Sequence, residues 1–383
     1  MNSKKLVGGI FCDLKKAFDS VDHDILLSKL KFYGIRGKFN ELITSYLKNR
    51  YQRVAIKSKK SCHSSFSRWR KIKCGVPQGS ILGPLLFLLY INDLGTLFKN
   101  NQKPVLFADD TSLIVTHDNQ TDFSRDITFA FNKLNKWFAA NLLSLNLNKT
   151  QYVQFMTKNT PTRDISISYN NTLISKTSNT KFLGLVITDS LSWKDHITQL
   201  IPKLSKACYI LRCIRPFMSL EALKSVYHSY FHSLLSYGII FWGNSSYSLH
   251  IFRLQKKAVR VIMGLRPRDS CRKPFKHLRI LPLQSQYIFS LLMFVVENKS
   301  SFQLKSEMHG INTRQNSNLY QPQANLTLYQ KGVYYSGVKI FNNLPSSIRN
   351  LFSDIKRFKL ELDKYLHLKS IYTLDEYYNS CRS

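Results

Sequence analysis

The sequence predicts an α+β fold, and three observations carry that reading. Short β-like runs alternate with helical stretches over roughly the first 190 residues. From there to about residue 266 the pattern is helical alone. The chain has 383 residues, 44% of them hydrophobic, enough for a sizeable core and more than one domain.

The elements follow in order. "GGIFCDL" (8–14) reads as a buried strand entered through a glycine pair. "SVDHDILLSKLKFYG" reads as a helix, with Asp22 as N-cap, Leu26, Leu27, Leu30 and Tyr33 near one face, and Gly34 at its end. "KFNELITSYLKNR" predicts a second helix, and "YQRVAI" alternates as a strand does. In "GVPQGSILGPLLFLLYINDL" (75–94) a Gly/Pro turn leads into an apolar, buried helix, with Pro84 tolerated in the first turn. "VLFA" and "TSLIV" flank Asp109 and Asp110, so a hairpin carrying both carboxylates at its tip is the economical reading. Ile127, Phe131, Leu134 and Phe138 recur at helical spacing within 123–143. "TQYVQFM", "ISISY" and "TKFLGLVIT" (180–188) each read as one strand. Three helices are expected at about 194–215, 219–235 and 247–264, the last stopped by Gly264 and Pro267. Beyond 285 the periodicity weakens, "NTRQNSNLYQPQANLTLYQKG" reads as loop, and "IRNLFSDIKRFKLELDKYLHL" reads as a final helix.

Charge narrows the partner. There are 56 Lys and Arg against 23 Asp and Glu, a formal net charge of +33. A surface so cationic suits a polyanion, with nucleic acid ahead of an anionic membrane. No apolar run is long enough to span a bilayer, and "ILGPLLFLLYI" is interrupted by Gly83 and Pro84. The 7 cysteines are scattered, odd in number and without metal-ligand spacing, which favours a reducing compartment and incidental thiols.

Asp109 and Asp110 pose a physical problem, because adjacent carboxylates repel and lose hydration near buried strands. Alone, such a pair is usually a solvated turn. Asp13, however, ends the first strand, and adjacent strands would bring it to the same point. Magnesium relieves such repulsion, because it takes hard oxygen ligands and completes its shell with water and phosphate. Two such ions roughly 3.5–4 Å apart can activate an attacking hydroxyl and stabilise a leaving oxygen in phosphoryl transfer.

The order of these features is the informative part. "FCDLKKAFDSV", "GVPQGSILGPLLFLLYINDL", "LFADDTSLI", "LSLNLNKTQYVQF" and "KFLGLVIT" occur in that order over about residues 6–188. The sequence resembles the reverse transcriptase of non-LTR (LINE-like) retrotransposons. Each motif is modestly specific, and the ordered set is far more so. The resemblance implies a right-hand polymerase palm, an antiparallel sheet with covering helices, followed by a helical thumb. It implies an RNA-directed DNA polymerase that adds deoxynucleotides to a primer 3′-hydroxyl, with two Mg2+ ions as cofactor and Mn2+ as a substitute.

Roles carry over by position. Asp13 and Asp109 would be the main metal ligands, with Asp110 weaker or more remote, and the carbonyl of Leu14 could serve one ion. Phe18, five residues after Asp13, would lie beneath the nucleotide sugar and exclude a 2′-hydroxyl by volume; ordinary core packing is the bland reading. Gln78 and Gly79 would face the incoming base and template, although a turn alone would also use Gly79. Lys149 matches a lysine that protonates departing pyrophosphate, and a solvated lysine is an equal reading. Phe182, Leu183 and Gly184 would hold the primer end. Asp19, Asp22 and Asp24 are read as structural acids at a helix start.

Between His250 and Arg279 there are ten Lys/Arg and one acid, Asp269. Arg253, Lys257 and Arg260 share one helical face with Lys256 beside it, while Phe252, Val259 and Ile262 can face inward. This resembles a thumb helix tracking a duplex backbone, against the plainer reading of a solvated face.

The expected division is a palm with partial fingers (1–190), a basic helical thumb (191–266) and a C-terminal region of unknown role (267–383). The family also carries a fingers segment before the first motif, and here Asp13 lies about a dozen residues from the start. Truncation with weak activity is therefore expected, the endonuclease and fingers functions lying outside this chain. The expected partners are an RNA template, a DNA primer or target and deoxynucleoside triphosphates, with no membrane, at an intracellular and, when acting, nuclear location. The alternatives are an inactive nucleic-acid-binding transposon remnant and a group II intron maturase-like protein.

Overall fold

The computed structural model describes residues 5–57, 64–98, 101–157, 165, 167–169, 172–305 and 318–380. They form two compact units. One comprises 3–182 with 188–190, and the other 183–187 with 191–383.

The first unit is built on a five-stranded sheet in the order 175–176, 151–155, 6–12, 110–117, 102–107. Strand Leu6–Cys12 is central and antiparallel to both neighbours, with Val7 opposite Phe155 and Cys12 opposite Thr111. Its side chains alternate between faces. Gly8, Ile10 and Cys12 are buried, and helix Gln120–Ala140 buries Phe123, Ile127, Phe131, Leu134 and Phe138. The glycine at position 8 lets that helix approach: a Cβ there would meet Phe123 at 2.8 Å, Ile127 at 2.9 Å and Tyr152 at 3.0 Å. Gly8→Val is therefore expected to overpack this layer and to cost about 2 kcal/mol, read as a lower thermal midpoint by circular dichroism. An unchanged midpoint would show that helix and sheet are not closely packed there.

Local chemistry explains the helices. Asp22 caps Leu26's helix, its carboxylate accepting from the backbone N–H of Asp24 (3.0 Å) and Ile25 (2.9 Å). The helix runs His23–Phe32, and Gly34 follows with φ +91°. The apolar helix Leu82–Ile91 is not buried all round, as its composition predicts. Leu86, Phe87, Tyr90 and Ile91 are covered, whereas Leu85, Leu88 and the preceding Ile81 are exposed. The covered side packs on helix His23–Phe32, on the Phe18 ring and against Asn141. Behind that contact Lys29 donates to Asp93 (2.6 Å) and lies over the rings of Tyr90 and Trp137. The Tyr90 hydroxyl donates to the Asn141 carbonyl (2.7 Å).

The expected single strand over 180–188 is two strands, Asn179–Phe182 and Leu185–Thr188. Leu183 (φ +46°) and Gly184 (φ +80°) break it, and two successive left-handed residues are the signature of a tight hairpin turn. Of "ISISY", only part lies within the described residues.

The second unit is helical. Helices Lys194–Ile214 and Ser248–Met263 lie where periodicity places them, and between them Leu220–Ser236 is one helical run with a π-helical stretch at Tyr227–His232. Described residues on either side of 266 share one core. Trp242, Ile251 and Val259 belong to the same cluster as Phe275, Leu291, Phe341 and Leu362. At its centre runs helix Leu283–Glu297, missed in the sequence because nearly every side of it is buried and no polar stripe remains to set a period. The final helix is Ile355–Lys369, with a further short helix Leu374–Ser380. Among the described residues no single helix is long and apolar enough to cross a membrane.

Candidate active site

Sheet register brings the predicted acids together. The last couple between the central strand and its neighbour is Cys12 with Thr111. The same register continued by one residue would set Asp13 against Asp110, and both acids line one cleft. Residues directly opposite on an antiparallel pair stand about 5 Å apart at Cβ. By alternation Asp13 shares a face with Phe11, and Phe11 stands opposite Ser112 and Gln151. A cleft of about 700 Å³ opens on that face, lined by Phe11, Asp13, Asp110, Ser112, Lys149 and Phe182 among others.

Asp109 does not line the cleft. It sits in the two-residue turn between strands Gln102–Phe107 and Asp110–His117, after Ala108 at φ +51°. Such a turn prefers glycine first, and an alanine held left-handed costs about 1 kcal/mol. The hairpin is thus held in a strained form with its acids at the tip. Burial first, then the charges of Asp109 and Asp13, push the Asp110 carboxyl above the usual carboxylate range. All three acids therefore share one electrostatic neighbourhood.

Asp13 is fixed by partners. Its carboxylate accepts from the Asn146 amide at 3.0 Å and lies 3.7 Å from the ammonium of Lys149, which is 70% exposed. Its carbonyl accepts from the Asn146 N–H at 2.8 Å. Asn146 was missed in the sequence. Its only signal there is its place in the "LNLNKT" loop that also supplies Lys149. Leu14 is buried and pairs with Leu145, so the same loop is tied to both residues after the central strand.

Among the described residues no three His, Cys, Asp or Glu side chains form a ready metal cage. The donor chemistry still fits a hard cation. Asp13 and Asp110 offer carboxylate oxygens into an open cleft, their repulsion is only partly relieved by Lys149, and magnesium ordinarily takes one or two carboxylates with water and phosphate.

A second group lies beside Phe18. The loop 75–79 is held to segment 18–23 by three bonds: Gly75 N–H to Val21 carbonyl (2.7 Å), Val76 N–H to Phe18 carbonyl (2.9 Å), and His23 Nε2 with Gly75 carbonyl (2.8 Å). Phe18 stacks one face on Phe87, with centroids 4.6 Å apart, and is only half-buried. Gln78 donates its amide to Asp19 at 3.1 Å, which gives it a structural partner. Gly79 has φ +83° and open space where a Cβ would be.

The remaining candidates divide between the units. Phe182 packs near Phe11 (5.7 Å) in the first. In the second, the Tyr237 hydroxyl donates to the Leu183 carbonyl, and a Cβ on Gly184 would meet Tyr237 at 3.3 Å. On helix Ser248–Met263, Phe252, Val259 and Ile262 are buried as expected. Arg253 and Lys257 are exposed, Lys256 lies over the Phe252 ring (4.8 Å), and Arg260 donates to the Asp269 carbonyl (2.9 Å). Two of the four cations are thus engaged in packing or a loop bond.

Residues 1–187 match the family model described as Reverse transcriptase (RNA-dependent DNA polymerase). The chain is 28% identical over 278 residues to the "Probable RNA-directed DNA polymerase from transposon BS" of Drosophila melanogaster, covering 68% of this chain and 29% of that protein. It is 29% identical over 289 residues to the "RNA-directed DNA polymerase from mobile element jockey" of Drosophila funebris, covering 70% and 30%. Among solved structures, apo telomerase from Candida tropicalis aligns with a TM-score of 0.39 at 15% identity, over 81% of this chain and 52% of that one. Residues 1–187 are thus similar to reverse-transcriptase domains, and the relatives they resemble include polymerases of Drosophila transposons. The chain spans about 30% of the length of the curated relatives it matches.

Proposed function

We propose that this chain catalyses RNA-templated addition of deoxynucleotides to a primer 3′-hydroxyl, releasing pyrophosphate. The observation that carries the reading is the juxtaposition of Asp13 and Asp110 in one cleft, with Asp109 at the adjoining tip. Divalent magnesium, or manganese in its place, would be held by Asp13, Asp109 and Asp110 and would supply hydroxyl activation and neutralise developing charge.

The chain's own residues would do the rest. Asn146 and Lys149 orient Asp13 toward the cleft. Lys149, exposed at its rim, is placed to donate a proton to departing pyrophosphate. Gln78 and Gly79 would lie against the base pair being formed, the glycine leaving room for close approach. Phe182, with Leu183 and Gly184, would hold the primer end. The exposed Arg253 and Lys257 would meet duplex phosphates, with Lys256 and Arg260 shaping that helix face. RNA template, DNA primer or target and deoxynucleoside triphosphates are the proposed partners, and the nucleus the proposed place of action.

Primer extension on poly(rA)/oligo(dT) with magnesium tests this reading. Incorporation that needs magnesium is expected, and a chain that binds the hybrid but adds nothing would make it a binding remnant. Phe18 gives a sharper test. Phe18 stacks on Phe87 and is only half-buried, so its exposed part would meet a sugar. Phe18→Ala is expected to improve ribonucleotide use relative to deoxynucleotide at least about tenfold in kcat/KM. That ratio is insensitive to any fold destabilisation, so unchanged discrimination would remove the filter role.

A further inference from the structure

The loop that carries Gln78 and Gly79 is anchored by a side chain at each end. At its far end the Ser80 hydroxyl donates to the Pro77 carbonyl (2.8 Å) and accepts from the Gly83 N–H (2.9 Å). At its near end His23 Nε2 lies 2.8 Å from the Gly75 carbonyl, 52 residues away along the chain. A carbonyl only accepts, so this nitrogen carries the hydrogen, whether the ring is neutral or charged. His23 is 5% exposed and opens helix His23–Phe32 directly after its Asp22 cap. Its backbone is therefore fixed before the side chain reaches the loop.

The bond closes a clamp. Gly75 and Val76 donate to the Val21 and Phe18 carbonyls, and Asp22 forms a backbone bridge with Cys74. Gly75 has φ +88°, and a Cβ there would meet the Asp19 carbonyl oxygen at 2.9 Å and its Cα at 3.0 Å. The loop thus presses directly on segment 18–23. Beyond the clamp Gln78 and Gly79 are exposed, and the Gln78 amide reaches back to Asp19 at 3.1 Å. Loosening the Gly75 end would part the Phe18 segment from Gln78 and Gly79, the groups assigned to the nucleotide's sugar and base. A histidine serving only to fill the core would not need a donor aimed at a distant loop.

We propose that His23 is a positioning residue, whose bond to the Gly75 carbonyl sets the clearance between the Phe18 ring and residues 78–79 and so the fit of an incoming nucleotide. This deepens the polymerase reading, on which it rests for the identity of that nucleotide.

Two measurements on the full chain test it, one of them without turnover. His23→Phe keeps a ring and removes the donor. His23→Gln keeps a nitrogen at the reach of Nε2, and His23→Asn falls short of it. In the Phe variant, hydrogen exchange followed by mass spectrometry is expected to speed at least about tenfold at residues 75–76, with helix Gln120–Ala140 unchanged. Primer extension on poly(rA)/oligo(dT) is expected to show KM for dTTP raised at least about fivefold, and the preference for dTTP over UTP narrowed at least about fivefold. The Gln variant should bring each readout within about twofold of the unaltered chain, and the Asn variant should not. A packing role alone would move the melting midpoint, leave KM and sugar preference in place, and be served better by Phe than by Gln. Unchanged exchange at 75–76, or unchanged KM and preference in the Phe variant, would overturn the proposal. If the Phe variant fails to fold, the Gln and Asn pair makes the same comparison. Loosened exchange in a chain that makes no DNA would sink the polymerase reading alone. DNA synthesis with exchange and preference unaltered would sink this inference alone.

Discussion

Replacing Asp13 by asparagine is expected to lower nucleotide incorporation roughly a thousandfold while leaving hybrid binding nearly unchanged. The size follows from charge. A carboxylate that helps hold a cation against a transferring phosphoryl group contributes several kcal/mol to transition-state stabilisation, and about 1.4 kcal/mol is a factor of ten. The amide keeps the shape and its bond to Asn146 can reverse, so the fold survives. Removing one of three mutually repelling acids even relieves strain, and thermal stability should hold or rise. Incorporation within tenfold of the unaltered chain would mean that Asp13 holds no reacting group. Running Asp109→Asn and Asp110→Asn alongside separates the two tip acids. The resemblance gives Asp109 the larger role, whereas Asp110 is the one that shares the cleft with Asp13.

The second large effect concerns stability. Gln255 is fully buried, and its amide donates to the Tyr227 hydroxyl (3.0 Å) and the Leu281 carbonyl (2.9 Å). Its side-chain oxygen accepts from the Leu283 N–H at 2.8 Å. One side chain thus satisfies the entry to helix Leu283–Glu297, whose N-cap, Pro282, offers no side-chain cap. Gln255→Leu keeps the volume and orphans the Leu283 donor and the Leu281 acceptor. Each buried orphan costs about 1–3 kcal/mol, so a loss of about 3 kcal/mol is expected. For a unit of this size that lowers the melting midpoint by roughly 6–12 °C. Gln255→Ala, which adds a cavity, should lose more. A midpoint within about 2 °C of the unaltered chain would show that water replaces the amide.

Gln255 also shows why a core shared across residue 266 was not legible. In the sequence it is a polar residue on a basic helix, and nothing marks its partners 26 and 28 residues away. Helix Leu283–Glu297 was missed for the opposite reason: burial on all sides erases the period that betrays a surface helix. The hairpin at 179–188 was read as one strand because alternation survives across a tight turn, and the left-handed backbone of Leu183 and Gly184 reports the break.

Alone, the residues carried the resemblance to reverse transcriptases. Asp13 at the end of an apolar run, the Asp109–Asp110 pair between two more, and "GVPQGS" between them are local patterns, each set by what its neighbours along the chain can bury or cap. Only tertiary structure decided which acid faces which, that Asn146 and Lys149 steady Asp13, and that Phe18 rests on Phe87. Those facts depend on strand register and on contacts between segments far apart in sequence. A shift of one residue in pairing would turn Asp13 to the opposite face of the sheet, and no local pattern records that choice.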